Sequence, residues 1–358
     1  MDKKSSVELI KRISDANGVS GFEDEVLEVV RDEAKGLGRF SEDSLRNLYL
    51  EREDNEPGKP VLMLDAHTDE VGFMVKAIRP DGQLEFMTLG GWVVTNIPAH
   101  QVRVRNRFGE YIPGVVASKP PHFMSEAERK APLEIAHLVI DVGASSAEEI
   151  ENDFCIDIAA PVVPEVTCTY DEKHDLLVGK AFDNRMGCAS IIETFRELKD
   201  EKLAVNLVGA FAAQEEVGTR GATITVQRVQ PDIAICFEGC PADDTVVPAY
   251  QRQTQIKRGP MLRHIDARMI TNPRFQRFAL DVAKELGIPC QTAVRTGGST
   301  DGAPIHLGAM GVPCIVSGIP VRYAHTHYGI SSWSDYQNGI RLACEIIRRM
   351  DKDIIGGF

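Results

Sequence analysis

The chain has 358 residues, with 53 Asp and Glu against 40 Lys and Arg, a formal net charge of −13. That acid excess excludes general nucleic-acid binding, which needs clustered basic side chains to neutralise phosphates, and it excludes docking on an anionic membrane. A composition of 43% apolar and 26% charged residues is that of a soluble globular protein, and at ~100–200 residues per domain the length suggests two domains.

The first twenty residues are polar and lack the apolar stretch of an export signal, and no run approaches the ~20 apolar residues of a membrane-spanning helix. Val7, Ile10 and Ile13 space a short helix. Gly18-Val19-Ser20-Gly21 breaks it, and Phe22, Val26, Val29 and Val30 form a second helical face. Val61-Leu62-Met63-Leu64 reads as a buried strand that delivers Asp65-Ala66-His67-Thr68-Asp69-Glu70 at its carboxyl end. From 71 to about 164 the texture changes. Alternating segments such as Val102-Arg103-Val104-Arg105 are separated by turns at Pro80-Asp81-Gly82 and Arg107-Phe108-Gly109-Glu110, with one helix near 147–151.

Helices and strands then alternate again. Helices are predicted over 185–198, 273–286 and 336–350, and strands over 204–213, 233–237 and 312–316. One α/β domain built from both ends of the chain, 1–70 and 165–358, with a small β-rich domain inserted at 71–164, accounts for this order. Cys155, Cys168, Cys188, Cys236, Cys240, Cys290, Cys314 and Cys344 are scattered, mostly among apolar neighbours. Cys236 and Cys240 have no second pair to complete a zinc site, so the cysteines read as reduced, buried thiols of a cytoplasmic protein.

Several strand ends carry residues of one chemical kind. His67-Thr68-Asp69 places an imidazole and a carboxylate on the same side of an extended chain, a pair that by itself is as a rule structural. Asp183, in Lys180-Ala181-Phe182-Asp183-Asn184-Arg185, suits a helix N-cap and equally suits a carboxylate shared by two cations. Glu215 and Glu216 repel one another at the mouth of a strand unless a cation or proton intervenes. Glu238 ends another strand, and Asp243 and Asp244 beyond it read as turn residues.

Gly297-Gly298-Ser299-Thr300-Asp301-Gly302 lacks the lysine and spacing of a phosphate loop, which leaves Asp301 as a structural anchor. His325 or His327 offers a late ligand. Open α/β sheets place their sites outside the carboxyl ends of strands. Two imidazoles and three carboxylates, His67, Asp183, Glu216, Glu238 and His325, suit two divalent cations sharing one carboxylate, with Glu215 as the neighbouring general base.

The motifs AHTDEVG, KAFDNR, QEEVG, GGSTDG and RYAH, in this order, together with Ser20-Gly21-Phe22-Glu23, resemble one family along essentially the whole chain. It is the co-catalytic di-metal aminopeptidases of clan MH that assemble as tetrahedral dodecamers. These include glutamyl, leucyl, lysyl and deblocking enzymes, and some members were once described as endoglucanases. The resemblance implies a three-layer αβα catalytic domain of the zinc-exopeptidase type with a barrel-like inserted domain that makes dimers.

It also implies roles. His67, Asp183, Glu216, Glu238 and His325 bind two metal ions, zinc or else cobalt or manganese, and Asp183 bridges them. Asp69 fixes His67, and Glu215 is the acid/base. The substrates implied are short peptides with a free N-terminus. Two departures stand out: many relatives carry Asp where Glu238 stands, and Thr326-His327-Tyr328-Gly329 replaces a Ser-Pro continuation, which leaves His327 as a substrate-side candidate. The competing readings are a deacylase or carboxypeptidase of the same fold, a metal-free glycosidase with two carboxylates, and a non-catalytic assembly protein. Arg252, Lys257 and Arg258 read as solvated basic side chains rather than a pocket for acidic substrates.

Overall fold

A computed structural model describes residues 2–358. Its main sheet has eight strands in the order Arg39–Glu42, Leu48–Glu51, Asn206–Ala212, Val61–His67, Ile233–Pro241, Cys314–Val321, Met261–Ile265 and Gln291–Val294. The central four run parallel.

Their apolar residues alternate between two cores. Leu62, Leu64, Leu207, Phe211, Ile233, Ile235 and Phe237 face one, and Met63, Ala210, Ala234 and Cys236 face the other. A parallel sheet buried on both faces needs helices on both. Helices Lys3–Asp15, Asp24–Glu33, Phe182–Glu197, Pro273–Glu285 and Trp333–Arg349 pack into the first core, and Arg220–Val229 and Gly302–His306 into the second. The expected three-layer αβα architecture is therefore present.

The chain leaves this sheet after His67 and forms a closed barrel. Going round it, the strands are Gly72–Ile78, Leu84–Leu89, Leu138–Asp141, Tyr111–Ser118, Gln101–Arg105 and Pro161–Pro164. Alternation fills it: Phe73, Val75, Leu84, Phe86, Val102, Val104, Val116, Ile140 and Val162 point inward. The segment read as one helix near 147–151 is a single α-turn, Ala147–Glu149, continued by a wider π-turn through Ile150–Phe154. The chain returns to the main sheet's helices at Phe182, so the barrel is inserted between His67 and Asp183 and springs from the carboxyl ends of the strands. Among the described residues no helix is long and apolar enough to cross a membrane.

Candidate metal centre

His67 is the last residue of its strand and pairs with Ala212 across the parallel ladder. The Thr68 amide and hydroxyl both donate to the Ala212 carbonyl, at 2.7 and 2.9 Å, which locks the two strand ends side by side. After Ala212 the chain turns through Gln214, left-handed at φ 55°, and presents Glu215 and Glu216 beside His67. The Asp69 carboxylate sits beneath the turn. It accepts the Glu215 and Glu216 amides at 2.9 and 3.1 Å and the Ser20 hydroxyl at 2.6 Å, and it lies 3.4 Å from Nδ1 of His67. Burial opposes the Asp69 charge, but the His67 and Ser20 bonds hold its carboxyl below the usual range. Nδ1 of His67 also meets the Asp69 backbone carbonyl at 3.1 Å, so one buried residue orients the imidazole chiefly through its carbonyl and the two-carboxylate turn through its carboxylate.

Asp183 does not cap its helix. Ala181 occupies the N-cap position with a left-handed backbone, and Asp183 itself has non-helical φ and ψ. Its peptide bond to Asn184 is cis. Its carboxylate lies between the two imidazoles, Oδ1 at 3.2 Å from His67 Nε2 and Oδ2 at 3.3 Å from His325 Nε2. Gly239 permits this close approach: a Cβ there would stand 2.4 Å from the Asp183 Cα.

Glu238 is not at a strand end. Its strand continues to Pro241, paired with Cys314–Val321, because pairing with Val61–His67 stops at Cys236 and frees the other edge to face the site. Glu238 Oε1 is 3.6 Å from His67 Nε2, Glu216 Oε2 is 3.3 Å from His325 Nε2, and Glu215 Oε2 is 3.9 Å from His67 Nε2.

All seven residues singled out in the sequence therefore converge. Three overlapping groups each bring potential ligand atoms within 4.8 Å of one another: His67, Asp183 and Glu238; Asp183, Glu216 and His325; His67, Glu215 and Glu216. The donor set fits divalent cations. Among the described residues Glu216 Oε1 and Glu238 Oε2 are buried with no hydrogen-bond partner, so anionic oxygens stand in a low-dielectric site without compensation.

The titration of the protein groups shows the same conflict. Burial, then the charge of Asp183, pushes Glu238 well up. Burial also pushes Glu216 well up and Glu215 up to about 7. Burial opposes charge on the imidazoles, yet contact with Asp183 raises His67 well above its ordinary value and His325 to about 10. Asp183, wedged between them, is held far below the carboxylate range despite its burial. A cation that displaces the shared protons removes the conflict.

The sequence assigns no role to Asp65 or Glu23 and leaves Asp301 as a structural anchor. Asp65, buried beneath His67, is pushed up to about 7 by burial, and Asp301 is pushed well up by burial and then by the Asp65 charge. An aspartate in an otherwise apolar strand was the available signal. Glu23, buried and raised to about 7 by burial and then Asp69, accepts the Gln214 amide at 3.2 Å.

Asp243 and Asp244 lie in a turn, as expected, and also anchor it: the Val246 amide donates to the Asp243 carbonyl at 3.1 Å, Asp243 contacts Arg295 at 3.1 Å, and Asp244 binds the Arg322 guanidinium twice, at 2.9 and 2.7 Å. Arg252, Lys257 and Arg258 are exposed. His327 is not on the substrate side. It is 1% exposed, packed on barrel aromatics, and burial with the neighbouring His100 pushes it down to about 3.

The family model described as M42 glutamyl aminopeptidase matches residues 47–342. The chain is 31% identical to a glutamyl aminopeptidase from Lactococcus lactis subsp. cremoris, covering 91% of each. It is 30% identical to a lysyl aminopeptidase from Pyrococcus furiosus, covering 96% of this chain and 97% of that one. It superimposes on the crystal structure of a TET aminopeptidase from a marine sediment archaeon of the Thaumarchaeota with a TM-score of 0.94, at 36% identity over 99% of each chain. The chain belongs to the M42 glutamyl aminopeptidase family, whose members remove N-terminal residues from peptides with the help of metal ions.

Proposed function

We propose that this aminopeptidase works through a centre of two divalent cations. His67 and Glu238 would hold one, His325 and Glu216 the other, and Asp183 would bridge them. The observation that carries this reading is the Asp183 carboxylate standing 3.2 and 3.3 Å from two imidazoles, each with its own further carboxylate. When bound, such cations polarise a carbonyl oxygen and lower the pKa of water. Glu215 accepts the proton of the attacking water and returns it to the leaving amine, a task suited to a carboxylate that stands beside the proposed ligands, 3.9 Å from His67 Nε2, without being needed as one. Asp69 keeps the His67 ring in register while holding the Glu215 amide. A free α-amine, once deprotonated, would offer a further nitrogen ligand to one of these cations, which a blocked N-terminus would not. Zinc suits the donors, and cobalt and manganese suit them as well.

The test is a panel of aminoacyl-p-nitroanilides, each with its N-acetylated counterpart, assayed with zinc, cobalt, manganese or EDTA. Cleavage of the free-amine series alone, lost in EDTA, supports the reading. Equal p-nitroaniline release from the blocked series overturns the requirement for a free amine, release of acetate from it points to a deacylase, and activity that survives EDTA overturns the metal centre.

The barrel at 71–164 is proposed as a separate inserted domain that makes a dimer contact within a dodecamer, as the family resemblance implies; the chain-long likeness to the TET enzyme supports the fold this needs. Light scattering that finds a monomer at working concentration would refute it. A cytoplasmic location accords with eight cysteines, none in a disulfide among the described residues.

A further inference from the structure

His325 is the least enclosed of the five candidate ligands. Its side chain is 39% exposed, against 1% for His67. Its backbone and that of Tyr323 are left-handed, at φ 60° and 61°, a region that side chains with a Cβ occupy only when their surroundings enforce it. The two ends of its loop are closed on each other. Arg322 binds Asp244 with two hydrogen bonds, and its backbone exchanges hydrogen bonds with Ile330 at 2.9 and 3.1 Å.

Between those ends, Thr326 Oγ1 braces the loop on Tyr323 and Tyr328, and His327 packs it against the barrel. The His327 ring stacks on His100, with centroids 3.9 Å apart and planes at 14°, and meets Trp92 edge-on at 5.1 Å. Trp92 in turn stacks on Phe73 of the barrel core at 4.8 Å. Among the described residues neither His327 nitrogen nor Trp92 Nε1 has a hydrogen-bond partner, so ring packing alone makes this contact. The two residues preceding Trp92 lie along the proposed ligands. A Cβ at Gly90 would stand 3.1 Å from Glu216 Oε2, and one at Gly91 would stand 3.4 Å from His325 Nδ1. Gly90 needs its bare backbone, since its φ is 79° and a Cβ would also stand 2.6 Å from Val71, whereas a Cβ at Gly91 would make ordinary contact with the ring.

We propose that His327 is a positioning residue, which by stacking on His100 and Trp92 clamps the His325 loop to the barrel and so sets His325 against Asp183 and Glu216. The inserted barrel thereby completes the second half of the metal centre within one chain. This inference rests on the two-cation reading above.

The experiment is a Co²⁺ titration of the metal-depleted full chain, following stoichiometry by absorption, with kcat and KM for an aminoacyl-p-nitroanilide measured in parallel. His327→Ala is expected to bind the first ion as the wild type does and the second about 10–100-fold more weakly, with kcat falling at limiting metal and KM little changed. His327→Phe, which keeps the ring and discards the nitrogens, should restore the second site. His100→Ala, made on the barrel side, should reproduce the defect and serves if His327→Ala does not fold. Wild-type affinity for both ions in His327→Ala and His100→Ala, or failure of His327→Phe to rescue, overturns the inference while leaving the metal centre standing. A wild-type chain that takes fewer than two ions overturns the two-cation reading and this inference with it, a failure visible before any variant is made.

Discussion

Two clusters of buried charge share one six-residue motif, Lys180-Ala181-Phe182-Asp183-Asn184-Arg185, and they are built on opposite principles. In the first, the Glu70 carboxylate, 1% exposed, lies 2.7 Å from Lys180 and 3.4 Å from Arg185. Arg185 spends its remaining donors on the carbonyls of Ile13, Ala16, Gly18 and Thr68, at 2.7 to 3.0 Å. Every charge there has a partner, and the cluster ties the N-terminal segment to the strand end and the helix. In the second, Asp183, Glu215, Glu216 and Glu238 crowd around two imidazoles, with buried carboxylate oxygens left bare. Both clusters are buried and charged. Whether each charged group is partnered, rather than burial, separates a structural network from a site built to receive cations.

That contrast is broken most sharply at Glu215. Glu215→Gln should lower kcat by ~10²–10⁴-fold while metal content and melting temperature stay at wild-type values. An unchanged kcat would remove Glu215 from the chemistry. In the paired cluster the effect should instead fall on the fold. Lys180→Met should cost ~3–5 kcal/mol in urea denaturation, with no recovery on adding zinc, because it removes one partner of a buried ion pair. A cost under ~1 kcal/mol, the range of exposed pairs, would show that the paired cluster is not structural.

Metal removal tests the unbalanced cluster. A cation held at a concentration 100 times its dissociation constant should contribute ~2.7 kcal/mol of stability, absent after chelation. Binding must displace protons from His67, raised well above its ordinary value, and from His325, raised to about 10. Affinity measured by calorimetry should therefore fall as pH is lowered from 8 to 6. An affinity independent of pH would contradict the ligand set.

The smallest effect concerns Asp301, whose two oxygens are buried without a partner among the described residues. Its folded carboxyl holds a proton to higher pH than the unfolded chain does, so the folded state binds more protons and loses stability as pH rises above about 4. In the chelated protein, Asp301→Asn should be ~1 kcal/mol or more stabler than wild type at pH 8, and the gain should vanish near pH 4. A gain that grows toward low pH would reverse the assignment.

Much of the site was legible because its signals are local. His67, Glu215 and Glu216 follow apolar strand runs, and an α/β sheet sends strand ends to one side of the molecule. Glu238 was legible as a candidate but misplaced at a strand end, because how far a strand runs depends on which neighbours pair with it. Asp183 could not be separated from an N-cap by pattern, since both uses need a carboxylate at a helix start. Ser20 was visible within a glycine-flanked break, yet its bond to Asp69, 49 residues on, leaves no periodic trace. His327 was read toward the substrate, although its ring is buried against residues that precede it by more than 200 positions.

The sequence by itself determined the α/β class, the inserted β-rich block and the chemical kind of the site, since alternation, apolar runs and residue type act over a few positions. Only the tertiary structure decided which carboxylates are neutralised and which face one another bare. It also decided that the barrel reaches back, through Gly90, Gly91, Trp92 and His100, to the loop that carries His325. Those outcomes depend on distances between segments far apart in the chain, which packing sets and which no local pattern records.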